Sequence, residues 1–326
     1  MRKILIRIIF SSALILNTLA CFSQNDSLVF YPVDNPVLQQ YNITSITAAK
    51  DGKLWLSTIN GLISYDGNDV HIYTHTDSDS TSLSGHIISK SIMDEKGNLF
   101  VVITGEEQGI NGNIDYFDTK TGKARRYKIK IEREDSSGYL MAHPFYYVCS
   151  ITDTTFLGGR SGMGFIEYNT KTKKARAYSL LSVRNPGHNS VYMIRQDVDN
   201  KNLFWLATSD GIYSFNQKFK KLERRFICEN SKDSTDFDVD LRDLKMANRD
   251  TIWFTSHIRG FGYYNIKTGR YRIFPCLDKN KKEEKLFAWY FQNFSEGEYI
   301  IQRSNRPPCI FNTATWKYSF NSKNVK

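Results

Sequence analysis

Residues 50–67 read KDGKLWLSTINGLISYDG. The stretch holds a turn, a short strand around Trp55, a second turn and another short strand. It recurs. With the aromatic of "YDG" at Tyr65 as marker, "YDGNDVHIY" is answered by "FDTKTGKARRY" at Phe117, "YNTKTKKARAY" at Tyr168, "FNQKFKKLERRF" at Phe215, "YNIKTGRYRIF" at Tyr264 and "FNTATWKYSF" at Phe311. The markers are spaced 52, 51, 47, 49 and 47 residues apart, so six copies fill residues 43 to 320.

Every copy has one grammar. A first run such as "NITSITA", "VYMIRQD" or "DLRDLKM" leads to a turn rich in Asp, Asn and Gly; a Trp or Phe strand, a second turn, a strand ending at the marker, a polar hairpin and a last strand follow. Four short strands at a period of 40 to 50 residues predict an all-β fold, a β-propeller with a six- or seven-bladed ring. Blades stack because a single four-stranded sheet cannot bury both of its faces. Trp55, Phe100, Phe156, Trp205, Trp253 and Tyr299 read as equivalent second-strand positions that pack between blades. Residues 27–33, "SLVFYPV", are expected to supply an outer strand that closes the ring with the last blade.

Outside the repeats, Arg2, Lys3 and Arg7 precede the apolar run "IIFSSALILNTLA", so residues 1–24 read as a secretory signal and residues 27–326 as one domain. The run is shorter than the roughly 20 residues a membrane helix needs. "TLAC" resembles a lipobox whose Cys21 would be acylated, although Thr18 stands where Leu is usual; cleavage near Ser23 and Gln24 fits as well. The product is expected to be periplasmic or exported, with the membrane reached only through a lipid anchor at Cys21. Loss of residues 1–24 removes three positive charges and no negative one, taking the formal charge from +10 to +7. Cys149, Cys228, Cys276 and Cys309 show no metal-ligand spacing and are compatible with up to two disulfides or with buried thiols.

The copies resemble the two-component regulator propeller repeat. The first matches through Gly52, Leu54, Trp55, Ser57, Thr58, Gly61, Leu62, Tyr65 and Asp66, the fourth through Trp205, Ala207, Thr208, Gly211, Ile212, Phe215 and Asn216; Trp253 falls on the same Trp in the fifth. The resemblance implies the extracytoplasmic sensor region of a hybrid two-component histidine kinase, where paired propellers sense glycan fragments. The chain stops at Lys326 without the β-sandwich, membrane helix and kinase of that family. The expectation is a truncated or split sensor, not an enzyme, that partners a membrane histidine kinase or a second propeller.

Other chemistries fit less well. The turns "KDGKLW" and "DEKGNLF" resemble the Asp-box of sialidases but lack its Thr, so a propeller glycosidase or lyase is an alternative, and a non-catalytic protein-interaction platform another. His71 and His75 lie roughly 13 Å apart on a strand, too far to share a metal. No cofactor motif is visible. The basic excess recurs in one hairpin per blade, at Lys120, Lys123, Arg125, Arg126, Lys171, Lys173, Lys174, Arg176, Lys218, Lys220, Lys221, Lys267, Arg270 and Arg272, where it blunts edge strands and does not argue for nucleic acid. The ligand, with an oligosaccharide first, is expected where the loops joining second and third strands (Asn60, Arg160, Asp210, His257, Arg259, Arg303, Arg306) meet the connections between blades (His86, His188, Asp240, Trp289). Trp289 as a platform with planar Arg donors suits sugar hydroxyls and carboxylates.

Overall fold

A computed structural model of the chain describes residues 33–104, 113–127, 129, 145–180, 189–226, 240–277, 283–284, 286–304 and 306–320. The expected signal segment with Cys21, residues 27–32, His188 and Cys228 lie outside them. Six four-stranded antiparallel sheets form the blades of a propeller ring, with sequence neighbours pairing in space throughout. The ring, expected with six or seven blades, has six.

The first strand of each blade lines the axis: Ile43–Ala48, Ile88–Met93, Phe145–Thr152, Val191–Gln196, Leu241–Asn248 and Ala288–Ser295. The second and third strands of blade 4, Leu203–Thr208 and Gly211–Asn216, are buried on both faces between neighbouring blades, whereas those of blade 6, Glu298–Arg303 and Arg306–Asn312, are only partly buried. The outer strands, such as Lys174–Tyr178, are largely solvated. Burial of aromatic and branched side chains between blades supplies the main driving force.

The repeated polar residues are turn devices. In all six blades the Asp or Asn after the marker aromatic accepts backbone N–H groups of the following hairpin: Asp66 from Asn68 and Asp69, Asp118 from Lys120 and Thr121, Asn169 from Lys171 and Thr172, Asn216 from Phe219, Asn265 from Thr268, Asn312 from Ala314 and Thr315. The Thr-x-x-Gly turn works alike in blades 1 and 4. Thr58 Oγ1 donates to the Gly61 carbonyl at 2.8 Å and accepts Asn60 N–H at 3.0 Å; Thr208 repeats both bonds with Gly211 and Asp210. Gly61 sits at φ +114°, where an added Cβ would lie 2.5 Å from the Tyr73 carbonyl oxygen. Trp205 Nε1 donates to Asp197 in the first turn of its blade at 2.8 Å.

The second-strand aromatics are not all equivalent. Trp55, Phe100, Trp205 and Trp253 pair with Thr47, Ile92, Arg195 and Lys245, four residues into their first strands, whereas that partner faces Leu157 in blade 3 and Ile300 in blade 6. Phe156 and Tyr299 are offset by one residue. A one-residue offset on a strand reverses the face, so Phe156 packs on Phe100 of the preceding blade and Tyr299 on Trp253 and Phe261. Their packing role stands, and its direction is opposite to that of Trp55.

Several hairpin cations pin blades together as well as solvating edges. Lys220 Nζ reaches Glu167 of the preceding blade at 2.6 and 2.8 Å, which with burial opposing holds that carboxyl below its ordinary range. Arg126 donates to the carbonyls of Asp79, Ser82 and Leu83 in the connection from blade 1. His75 is half-buried, and its Nδ1 lies 2.6 Å from the Leu83 carbonyl oxygen in the same connection. Cys149, Cys276 and Cys309 are free thiols.

Candidate functional site

The first strands share one irregularity. Near its start each skips one residue in its pairing with the second strand: Thr44 in blade 1, Ser89 in blade 2, Tyr146 in blade 3, Tyr192 in blade 4, Arg242 in blade 5 and Trp289 in blade 6. A β-bulge leaves its extra residue out of the ladder and re-aims its side chain. Repeated around the ring, it delivers one side chain per blade to one end of the channel.

That end is where the loops converge. Backbone bonds from Gly61 to His86, Gly164 to Asn189, Ser209 to Ser190 and His257 to Asp240 lace the turns between second and third strands to the connections between blades. The two sets of loops therefore share a face, as expected.

In blades 3 to 6 the bulged side chains form a continuous stack. The rings of Tyr146 and Tyr192 lie 4.9 Å apart, the Arg242 guanidinium is 4.0 Å from the Tyr192 centroid and 4.6 Å from that of Trp289, and His257 meets Trp289 edge-on at 5.2 Å. All five are half-buried, so each keeps a surface toward solvent. In blades 1 and 2 the same position holds only Thr44 and Ser89, and the arc falls away. Phe287, against His257 at 5.5 Å, takes the left-handed conformation at φ +50°, a strained backbone beside the site.

Arg242 also pairs with the Asp240 carboxylate. Three buried polar atoms of the cluster find no hydrogen-bond partner among the described residues: Asp240 Oδ1, Arg242 Nε and His257 Nδ1. Buried polar atoms are normally satisfied, so these three mark a place with hydrogen-bonding capacity to spare. Burial and the neighbouring Arg242 lower the pKa of His257, which favours the neutral ring.

Of the residues expected from sequence, Trp289, His257 and Asp240 come together here. Asp210 is buried within blade 4, accepting from Tyr213 Oη at 2.5 Å and pairing with Arg224 at 3.1 Å. Arg160 and Arg303 end second strands at the place that Thr58 holds in blade 1, not in the loops; the Arg160 guanidinium is buried 5.6 Å from the Phe145 ring, and Arg303 Nε donates to the Pro307 carbonyl at 2.8 Å. Asn60 is exposed at the tip of its turn, and Arg259 N–H donates to Ser256 Oγ at 3.2 Å. Sequence reasoning missed Tyr146, Tyr192 and Arg242. Their one signal is position: each directly follows a buried apolar residue, Phe145, Val191 or Leu241, at the start of its blade.

Below the arc the axis is lined by charge and aromatic rings. Lys90 Nζ lies 4.2 Å from the Tyr290 centroid and 5.2 Å from that of Tyr147; Arg195 donates to Tyr147 Oη at 2.8 Å and stands 3.8 Å from Asp243. Asp243 accepts the N–H groups of Leu244 and Phe291 at 2.9 and 3.3 Å. Burial lowers Lys90 to about 8, opposed by Asp243, and raises Tyr147 to about 12 and Cys149 to about 11.

No protein-family model and no curated protein matches the chain. Among solved structures, the extracellular domain of the hybrid two-component system BT3049 from B. thetaiotaomicron superposes with a TM-score of 0.58 at 16% identity, over 86% of this chain and 33% of that one. The WD40 β-propeller domain of Doa1 gives 0.57 at 11% identity, over 90% of this chain and 84% of that one. The fold is a β-propeller. At such identities the likeness shows the fold alone, and the chain spans about a third of the BT3049 domain. No helix among the described residues is long and apolar enough to cross a membrane.

Proposed function

We propose that the protein is the ligand-binding propeller of an extracytoplasmic sensing system, and that a carbohydrate fragment lies across the arc at the channel mouth. The carrying observation is the first-strand bulge that brings Tyr146, Tyr192, Arg242 and Trp289 together while Asp240 Oδ1, Arg242 Nε and His257 Nδ1 have no partner among the described residues. Sugar rings offer apolar C–H faces to aromatic planes and hydroxyls that both donate and accept, which suits an arc with unspent donors and an unspent acceptor. One oxygen of the Asp240 carboxylate, Oδ2, is committed to Arg242, an arrangement suited to orienting a ligand rather than to acid catalysis. The extracellular domain of BT3049 supports the sensing part by its shared fold. Signalling then requires a partner such as a membrane kinase or a second propeller, and any lipid anchor would be at Cys21. Calorimetry of the exported domain against an oligosaccharide panel tests the reading. Binding of one fragment, recovered unchanged and lost in Trp289→Ala, supports it; release of cleaved product, or binding indifferent to Trp289→Ala, overturns it.

A further inference from the structure

The channel beneath the arc carries more positive charge than the described residues around it neutralise. Lys90, Arg195 and Lys245 face a single carboxylate, Asp243, which already accepts two backbone N–H groups. The Lys90 ammonium is buried and, among the described residues, none of its three donors meets an acceptor; Arg195 Nε is likewise buried and without a partner among them. Both cations lie 5.2 Å from the centroid of one ring, Tyr147, so they converge on the same section of the axis. Removing an ammonium from water without an oxygen partner is costly, and cation–π contacts with Tyr147 and Tyr290 offset only part of that cost.

We infer that this section of the channel is an anion site, in which one oxyanion group, carboxylate-like in chemistry, is held by Lys90 Nζ and Arg195 Nε. The group can come from either of two sources: a free inorganic oxyanion, or the acidic substituent of a sugar seated on the arc above. The second source rests on the proposed function, and the first does not. The anion would enter from the low side of the arc, where the bulge residues shrink to Thr44 and Ser89 on the blade before Lys90 and on its own. The other titratable groups facing Lys90 are Tyr147 from blade 3, Arg195 from blade 4, Asp243 from blade 5 and Tyr290 from blade 6, with Cys149 near Arg195 and Lys245 near Asp243. Of these, Asp243 alone is a carboxylic acid, and burial raises its pKa while Arg195, Lys245 and Lys90 oppose the rise.

Thermal unfolding of the exported domain at pH 7, titrated with sodium sulfate against sodium chloride of equal ionic strength, tests the site. Wild type is expected to show a saturable rise in Tm that is at least tenfold weaker in Lys90→Met and retained in Lys90→Arg. Equal sulfate responses in wild type and Lys90→Met overturn the inference. Should Lys90→Met fail to fold, the wild type decides: the sulfate response is expected to fade as pH rises through about 8, where Lys90 discharges, and a response unchanged at pH 10 overturns it. Glucuronate against glucose separates the sources. Tighter binding of glucuronate, abolished in Lys90→Met, assigns the anion to the sugar, while a sulfate response without glucuronate preference assigns it to a free ion. Binding of neutral sugars that depends on Trp289 but not on Lys90, without any sulfate response, leaves the proposed function standing and removes the anion site.

Discussion

The guanidinium of Arg242 lies 4.0 Å from the ring centroid of Tyr192, although the two belong to different blades. Both are bulged residues of first strands, so the contact depends on how adjacent blades turn the same irregularity toward one axis. A guanidinium offers a planar, delocalised cation to the ring, and a lysine offers only a point charge. Arg242→Lys, which keeps a cation for Asp240, is expected to weaken binding of the arc's oligosaccharide about tenfold, roughly 1.4 kcal/mol. Calorimetry checks the affinity, and circular dichroism should show the fold intact.

The hairpin position four residues after the marker Asp or Asn is left-handed in five blades: Gly122, Lys173, Lys220, Gly269 and Trp316, at φ between +52° and +70°. A side chain there costs about 1 kcal/mol or more relative to glycine. Lys173→Gly, at an exposed site, is expected to raise stability by about 0.5–1 kcal/mol, seen as a higher denaturation midpoint at an unchanged slope. Lys220→Gly is expected to gain less or nothing, because it gives up the 2.6 Å ion pair with Glu167. Equal gains would argue against the pin between blades.

Trp205 is buried at 2% exposure and donates to Asp197 at 2.8 Å. Trp205→Ala is expected to cost about 3–5 kcal/mol through the cavity it leaves. Trp205→Phe keeps most of the packing and is expected to cost about 1–2 kcal/mol, the hydrogen bond with part of the area. Urea denaturation of both variants measures the difference.

Asp115 is fully buried and accepts Ser84 N–H at 2.6 Å through one oxygen while the other stays unpartnered. Burial raises its pKa to about 6, so the folded state favours the protonated acid. Stability from this group is present below about pH 4 and declines as pH rises through 6. The change is up to about 3 kcal/mol, at 1.36 kcal/mol for each pKa unit. Asp115→Asn is expected to flatten this slope, so that the variant gains on wild type between pH 4 and 7. Tm recorded across that range in parallel would show it.

Much of the fold was legible because its signals are local. A hairpin closed by Asp66 on Asn68 and Asp69, or a turn closed by Thr58 on Gly61, needs only residues within three positions of each other. The identity of the scaffold residues Trp55, Gly61, Tyr65, Trp205, Gly211 and Trp253 follows from the same repetition. The site was legible in part: Trp289, His257 and Asp240 stood in the right loops, while Arg160 and Asp210 sit buried, Asp210 on partners within its own blade. Tyr146, Tyr192 and Arg242 were hidden because a strand written as a strand does not reveal which residue its ladder will skip.

The amino-acid sequence by itself determined the period, the four strands of each blade, their turns and the number of copies, all consequences of short-range hydrogen bonding and of apolar alternation repeated along the chain. Only the tertiary structure decided direction. It reversed the faces of Phe156 and Tyr299 through a single residue of register, and it aimed one bulged side chain per blade at a common axis. It also brought Lys90 to 4.2 Å from the ring of Tyr290, two hundred positions away. Such contacts arise from closing a ring of sheets, and closure joins residues whose local sequences carry no trace of one another.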